Sequence, residues 1–162
     1  MDATIIGAGQ ARMHIAHALS AEDHRVTLID SVPERIHQAE PELDVRTMCA
    51  HGASPQVLEN VGVRSADLVA AVTQSDEVNL IVALTAKQLG AKRTAARVFN
   101  PTYFEGARLA YRNLLGIDLT ITPHALIETE HAFLPQTVRS LRVGQVVSEE
   151  GGVVRGSRSS RS

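Results

Sequence analysis

The sequence predicts an α/β fold, a Rossmann-like doubly wound parallel sheet of six strands that is followed by a C-terminal helix. Three observations predict it. Apolar stretches of strand length alternate six times with stretches of helical periodicity. The stretch from Leu68 to Val72 is continuously apolar, and continuous runs are typical of parallel strands covered on both faces. The first stretch runs into Gly7 and Gly9, the kind of glycine turn that opens a dinucleotide-binding βαβ unit.

Composition narrows the class of protein. The chain has 162 residues, of which 44% are hydrophobic and 21% charged, and its formal net charge is −2. These values predict one globular domain with no general attraction to nucleic acid or to anionic membranes. Neither a secretory leader nor a membrane-spanning run is expected, so a cytoplasmic location follows. The single cysteine, Cys49, excludes an intramolecular disulfide and is expected to be a small core residue.

The first βαβ unit is the best defined part of the pattern. A strand over Ala3 to Ile6 is followed by a helix from about Gln10 to Ala21 and a second strand over Arg25 to Ile29. Asp30 ends that second strand, about 20 residues after the glycines, where a carboxylate accepts hydrogen bonds from the ribose hydroxyls of a dinucleotide. A carboxylate there repels a 2′-phosphate, so NAD or an adenosine nucleotide is expected before NADP.

The later elements follow the same alternation, and the sheet order is predicted to be 3-2-1-4-5-6. In chain order the pattern predicts a helix over Pro33 to Ala39, a strand over Asp44 to Met48, a turn over His51 to Pro55 that leads into a helix ending near Asn60, and a strand over Leu68 to Val72. It then predicts a helix capped by Asp76 that runs to about Leu89, a strand over Thr94 to Phe99, a helix over Pro101 to Leu115, a strand over Leu119 to Ile121, and a last helix over Pro123 to Leu141. Residues 142–162 are expected to be a remnant or short C-terminal extension, largely disordered from about residue 156.

Six short motifs carry a family resemblance. In chain order they are Ile5 to Gln10, Leu28 to Asp30 with Glu34-Arg35, Ala53 to Leu58, Ala66 to Thr73, Ser75 to Asn79, and Ala96 to Val98 with Asn100-Pro101. Together they resemble the nucleotide-binding N-terminal (TrkA-N) domain of the regulator of K⁺ conductance family, found in the Trk and Ktr subunits of bacterial potassium uptake. The resemblance covers residues 1–141.

The resemblance implies a regulatory domain that is not an enzyme. It implies NAD(H) as the ligand, with ATP, ADP or AMP as alternatives and NADP disfavoured. It also implies a homodimer or higher ring beneath a membrane potassium transporter or channel subunit, whose pore the ligand gates from the cytoplasmic side. Membrane insertion and nucleic acid are not expected. The candidate nucleotide-binding residues are Gly7, Ala8, Gly9, Gln10, Ala11, Arg12, Asp30, Ser31, Arg35, Ala53, Ser54, Thr73, Gln74, Ser75, Asp76 and Arg97.

Three departures from the family pattern stand out. Arg12 occupies the place of the third glycine, where its side chain either extends over the pyrophosphate or faces solvent beside a degenerate site. The family's order before Ala53 is changed to His51-Gly52, which affects the adenine side of the site. The family's C-terminal ligand-binding domain is expected to be absent, except for a first strand near Gln145 to Val147.

Structural alternatives accompany several of these residues. Asp30 serves the ribose or has a purely structural role, and Arg97 contacts a phosphate or forms an ordinary salt bridge. Ser75 and Asp76 line the crevice or cap the helix that follows them. The helix over Pro123 to Leu141 has more apolar surface than a sheet edge requires, so it forms a subunit contact or covers the sixth strand.

Two other functions fit the same fold. One is a small NAD-dependent oxidoreductase, and the other is an assembly scaffold without ligand. The sequence offers no catalytic residues, because Tyr103 and Tyr111 each lack a lysine four positions on. No metal site is expected either, since nothing completes a ligand set with His14 and His17.

Overall fold

The structure is a computed structural model that describes residues 1–7, 9–41, 43–103, 114–121 and 126–128, without the side chains of residues 10–14, 18 and 126–128. In chain order its elements are β1 (Asp2–Ile6), α1 (Gln10–Ala21), β2 (Arg25–Asp30), α2 (Pro33–Ala39), β3 (Arg46–Cys49), α3 (Pro55–Asn60), β4 (Leu68–Ala71), α4 (Asp76–Leu89), β5 (Thr94–Arg97), β6 (Leu119–Ile121) and β7 (Leu126–Glu128). Short 3-10 turns cover Val63–Ser65 and Pro101–Tyr103.

The strands form one sheet in the order β3-β2-β1-β4-β5-β6-β7. The first six are parallel, which confirms the predicted order 3-2-1-4-5-6, and β1 lies in the middle with Ile5 opposite Leu28 of β2 and Ala70 of β4. The chain order reverses between β1 and β4. Parallel α/β sheets bind ligands at such a reversal, outside the carboxyl ends of the strands.

Each face of the sheet has its own core, because successive side chains of a strand point to opposite sides. Ala3 and Ile5 of β1 share one buried cluster with Leu19 of α1. Ile6, the last residue of β1, belongs to the opposite cluster together with Val82 of α4. Helices therefore hold β1 from both sides, and its carboxyl end is fixed where the glycine turn begins.

The strand β7 contradicts part of the predicted C-terminal helix. Residues Leu126–Glu128 pair antiparallel with β6, with Leu126 opposite Ile121 and Glu128 opposite Leu119. A short apolar run has no clear periodicity, and the open edge of β6 supplies its backbone with hydrogen-bond partners. The helix predicted over Pro123 to Leu141 is wrong at these positions, and the subunit contact predicted on it loses that support.

Other predictions meet mixed outcomes. The helix predicted from Pro101 begins as a 3-10 turn, and it is helical again at residues 114 and 115. Cys49 is exposed at the end of the edge strand β3, so the prediction of a core cysteine is wrong. The predicted extension over residues 142–162 and the remaining parts of the last two helices lie outside the described residues.

Candidate nucleotide-binding cleft

A cleft of about 230 Å³ lies at the carboxyl ends of β1, β2 and β4. Its position is the one that the reversal in strand order predicts. The described residues that line it are Ile6, Gly7, Ile29, Asp30, Ser31, Arg35, His51, Gly52, Thr73, Gln74, Ser75 and Val78. Seven of them are sequence-predicted binding residues, namely Gly7, Asp30, Ser31, Arg35, Thr73, Gln74 and Ser75.

The glycine turn forms the floor of the cleft. Gly7 has a φ of 108°, a left-handed conformation that favours glycine. Its N–H donates to the carbonyl of Ile29 at 2.7 Å, which joins the turn to β2. Gly9 is the residue before α1, so the positive end of this twelve-residue helix begins beside the turn. The first helical positions are Gln10, Ala11 and Arg12. The side chains of these three residues, and the whole of Ala8, lie outside the part of the chain that the structure describes.

Asp30 forms one wall together with Arg35. The Asp30 side chain is 5% exposed, and its Oδ1 accepts a hydrogen bond from the N–H of Val32 at 2.8 Å. The guanidinium of Arg35 lies 3.5 Å from the Asp30 Oδ2. An ionised carboxylate has about four lone-pair positions and accepts hydrogen bonds only. The wall presents a fixed acceptor and a cation side by side.

The opposite wall is the loop between β4 and α4. Ser75 caps α4, because its Oγ accepts a hydrogen bond from the N–H of Val78 at 3.3 Å. The prediction that Asp76 caps this helix is therefore wrong. The buried Asp76 carboxylate instead accepts hydrogen bonds from Phe99 N at 3.0 Å and from Asn100 N at 2.8 Å. Asp76 anchors the segment after β5 and is not among the described residues that line the cleft.

Asn79 crosses between the ends of β4 and β5. Its side chain is fully buried, and its Oδ1 accepts from Thr73 N at 2.8 Å and from Thr73 Oγ1 at 2.7 Å. Its Nδ2 donates to the carbonyl of Thr73 at 3.0 Å and to the carbonyl of Arg97 at 2.8 Å. The sequence places Asn79 in a family motif without a role. Its burial in the first turn of α4 indicates a structural role, because a buried amide needs hydrogen-bond partners.

Glu77 ties the same turn of α4 to the 3-10 turn after β5. Its Oε1 accepts a hydrogen bond from the Tyr103 hydroxyl at 2.8 Å, and its Oε2 accepts one from Ser75 Oγ at 3.0 Å. The backbone N–H of Glu77 and these two hydroxyls lower the pKa of the Glu77 carboxyl. Three side chains of α4 thus bond its first turn to the segment around the end of β5, those of Asp76, Glu77 and Asn79. Glu77 and Asn79 also bond the loop after β4.

His51 and Gly52 form a third side of the cleft, which the candidate residues from sequence omit. A Cβ on Gly52 would overlap the Cγ2 of Ile6, so only glycine lets this loop lie against the end of β1. The N–H of Ala53 donates to His51 Nδ1 at 3.4 Å. The changed His51-Gly52 order is the signal that could have identified this pair. Ala53 and Ser54 lie in the same loop but are not among the described lining residues.

Arg97 lies at the carboxyl end of β5 and outside the described lining of the cleft. Its side chain is 7% exposed, and its Cζ stands 4.3 Å from the centre of the Phe99 ring. This stacking is a cation–π contact. The predicted phosphate contact of Arg97 stays a prediction.

Two features are absent from the described part of the chain. It contains no group of three or more His, Cys, Asp or Glu side chains placed to hold a metal ion. None of its helices combines the length and hydropathy needed to span a membrane.

Comparison with known proteins identifies the family. The model of the TrkA-N domain matches residues 3–123. This chain belongs to the TrkA-N domain family. It is 36% identical over 126 residues to the Trk system potassium uptake protein TrkA of Azorhizobium caulinodans, covering 76% of this chain and 28% of that protein. It is 36% identical over 154 residues to a TrkA homolog of Archaeoglobus fulgidus, covering 95% of this chain and 34% of that protein. The chain thus spans about a third of the length of these curated relatives.

Solved structures share the fold at low sequence identity. The TrkA-N domain of the inner membrane protein ybaL from Escherichia coli has a TM-score of 0.65 at 15% identity, covering 75% of this chain and 86% of that one. The GsuK channel bound to NAD has a TM-score of 0.63 at 19% identity, covering 74% and 21%. GsuK bound to ADP has a TM-score of 0.65 at 19% identity, covering 76% and 31%. These likenesses confirm the Rossmann-like fold.

Proposed function

We propose that this chain is the nucleotide-sensing domain of a regulatory subunit of a potassium uptake system, and that it binds NAD(H) in the cleft beside β1. The observation that carries the proposal is the convergence of Gly7, Asp30 and Thr73, from three separate strands, on this one cleft. Membership of the TrkA-N family supports the regulatory role. The relatives are named for potassium uptake, which supports the transport system.

The residues of the cleft support binding of the adenosine part of an adenine nucleotide. Asp30 would hold the ribose hydroxyls, and Gly7 lets the backbone approach a phosphate where α1 begins. Because the volume of about 230 Å³ is small for a ligand pocket, the cleft suits a nucleoside, with the pyrophosphate extending toward Gly9. ATP, ADP and AMP share the nucleoside and remain alternative ligands.

The Asp30–Arg35 pair determines the expected preference against NADP. A 2′-phosphate would approach the Asp30 carboxylate, and like charges in a partly buried site disfavour this strongly. Arg35 stands 3.5 Å from Asp30 and would attract the same phosphate. We therefore expect Asp30→Asn to weaken NAD⁺ binding. It should also reduce the difference in affinity between NAD⁺ and NADP⁺, since Arg35 then acts without an opposing charge.

Titration calorimetry and thermal shift with NAD⁺, NADH, NADP⁺, ATP, ADP and AMP test the proposal on the 162-residue chain. A ligand at a hundred times its Kd adds about 2.7 kcal/mol to stability. Asp118→Asn is the matched control, because Asp118 pairs with Lys87 at 2.8 Å at the opposite edge of the sheet. It should lower the Tm and leave nucleotide affinity unchanged. Absence of binding by all six would favour an assembly scaffold, and turnover of NADH with a small carbonyl would favour an oxidoreductase.

The assembly and the transport role need separate measurements. We propose a homodimer or higher ring, cytoplasmic and held at the inner face of the membrane by its potassium transporter or channel partner. A monomer in light scattering at micromolar concentration would oppose the assembly. In the source cells, Asp30→Asn should change the initial rate of Rb⁺ uptake, whereas Asp118→Asn should leave it unchanged. Equal rates in both variants would oppose gating by the nucleotide.

A further inference from the structure

We infer that Asn79 is a positioning residue for the nucleotide, although it is not among the residues that line the cleft. The inference rests on the proposed function. Asn79 holds the Thr73–Ser75 wall in register with the end of β5, and the affinity of the cleft depends on that register.

The hydrogen bonds of the Asn79 amide are complete and directional. Its oxygen accepts from two donors of Thr73, and its nitrogen donates to two carbonyls, one on each side of the gap between β4 and β5. An amide side chain has two donor hydrogens and two acceptor lone pairs, so every one is used. The side chain is fully buried, and thus water cannot replace a missing partner.

Thr73 is the point where this network meets the cleft. Its N–H and hydroxyl both bond to Asn79, and its Oγ1 also lies 3.3 Å from Ser75 N and from the Ser75 carbonyl. Thr73, Gln74 and Ser75 line the cleft. A change at Asn79 therefore displaces the wall directly, and misplacement of binding groups by a fraction of an ångström lowers affinity.

The same helical turn holds the segment after β5. Asn79 bonds the carbonyl of Arg97, and Asp76 bonds the N–H groups of Phe99 and Asn100. The cleft wall and the segment after β5 are thus both bonded to the first turn of α4. A nucleotide that orders Thr73 should consequently slow hydrogen exchange at Asn100, which is outside the described cleft lining.

Asn79→Asp is the test because it keeps the shape and both acceptors and removes both donors. The carbonyls of Thr73 and Arg97 would then face a carboxylate oxygen. We expect about tenfold weaker binding of NAD⁺ or ADP, a factor that corresponds to about 1.4 kcal/mol. Exchange at the Thr73 and Phe99 amides should rise without nucleotide, whereas exchange at Leu28 in β2 should not change.

Thr94→Val is the matched control for loss of stability. Thr94 is also fully buried, and its Oγ1 lies 3.3 Å from Asp118 Oδ2 at the amino edge of the sheet. It should lower the Tm and leave the Kd of the folded protein unchanged. If Asn79→Asp likewise lowered only the Tm, the positioning role would be wrong while the proposed function stood. If the unmodified chain bound none of NAD⁺, NADH, NADP⁺, ATP, ADP and AMP, both would be overturned.

Discussion

Gly52→Ala tests how tightly the third side of the cleft is packed against β1. The new Cβ would overlap Cγ2 of Ile6, and it would lie 3.1 Å from Cγ1 and 3.3 Å from Cβ of the same side chain. Ile6 is 2% exposed and is held by the core beneath α4, so it has little room to move. The collision is therefore relieved mainly by the loop that carries His51.

The size of the effect follows from two opposing contributions. Overpacking of a filled site costs about 1–3 kcal/mol. Replacing glycine by alanine restricts the unfolded chain and returns about 0.4–1 kcal/mol. We expect Gly52→Ala to lower the free energy of unfolding by about 1–2 kcal/mol, which lowers the Tm by roughly 2–8 °C in a chain of this size. Nucleotide affinity should fall as well, because His51 and Gly52 line the cleft.

Urea unfolding of a double-mutant cycle is the assay. Ile6→Ala alone should cost about 2–5 kcal/mol, because it leaves a cavity. The Ile6→Ala and Gly52→Ala double variant should be about 1–2 kcal/mol more stable than the sum of the two losses, since the smaller side chain makes room for the new methyl group. The urea m value should stay constant across the cycle. Losses that add within about 0.5 kcal/mol would refute the packing argument.

Further predictions concern the acidic side chains outside the cleft. Asp76→Ala should cost about 2–3 kcal/mol in urea unfolding, because a buried carboxylate with two backbone partners is lost. Glu77→Gln should cost clearly less, because the Glu77 side chain is exposed. Equal losses would contradict the anchoring role. Hydrogen bonds from Lys92 and from the N–H of Asp2 lower the pKa of Asp67 below its ordinary 3.8. Its stabilising effect is therefore complete above that value and is lost as the pH falls through the lowered pKa. Asp67→Asn should reduce the Tm at neutral pH, and this difference should shrink as the pH falls below the lowered pKa of Asp67. A difference in Tm that stays constant with pH would contradict the linkage.

The elements that have glycine or proline at or near their ends could be predicted from the sequence. The structure confirms α1 over Gln10–Ala21, α2 over Pro33–Ala39 and β6 over Leu119–Ile121 at the expected bounds. A glycine or proline stands at or near at least one end of each of these segments, and the backbone preferences of these residues act within a few positions. The end of α4 at Gly90 follows the same rule, with a φ of 109°.

The errors concern residues whose role depends on distant partners. Asp76 has the composition and position of a helix cap, but its partners are backbone groups 23 and 24 residues away. Asn79 reaches the carbonyl of Arg97, 18 residues on. Local patterns contain no information on these distances, which are set when β4 and β5 pair. The edge strand β7 is a similar case, because its place depends on the free edge of β6.

The central position of β1 has a consequence for biosynthesis. β1 ends at Ile6 and gains its first neighbour from β2, but β4 begins only at Leu68. Ribosomes add about 5–20 residues per second, so the roughly 60 intervening residues take about 3 to 12 seconds to synthesise. During that time one edge of β1 has backbone groups without strand partners, on a segment in which Ala3, Ile5 and Ile6 are apolar. Among the six parallel strands, β1 is separated from its second sheet neighbour by the longest stretch of sequence. During synthesis it is therefore the strand most exposed to pairing with other chains.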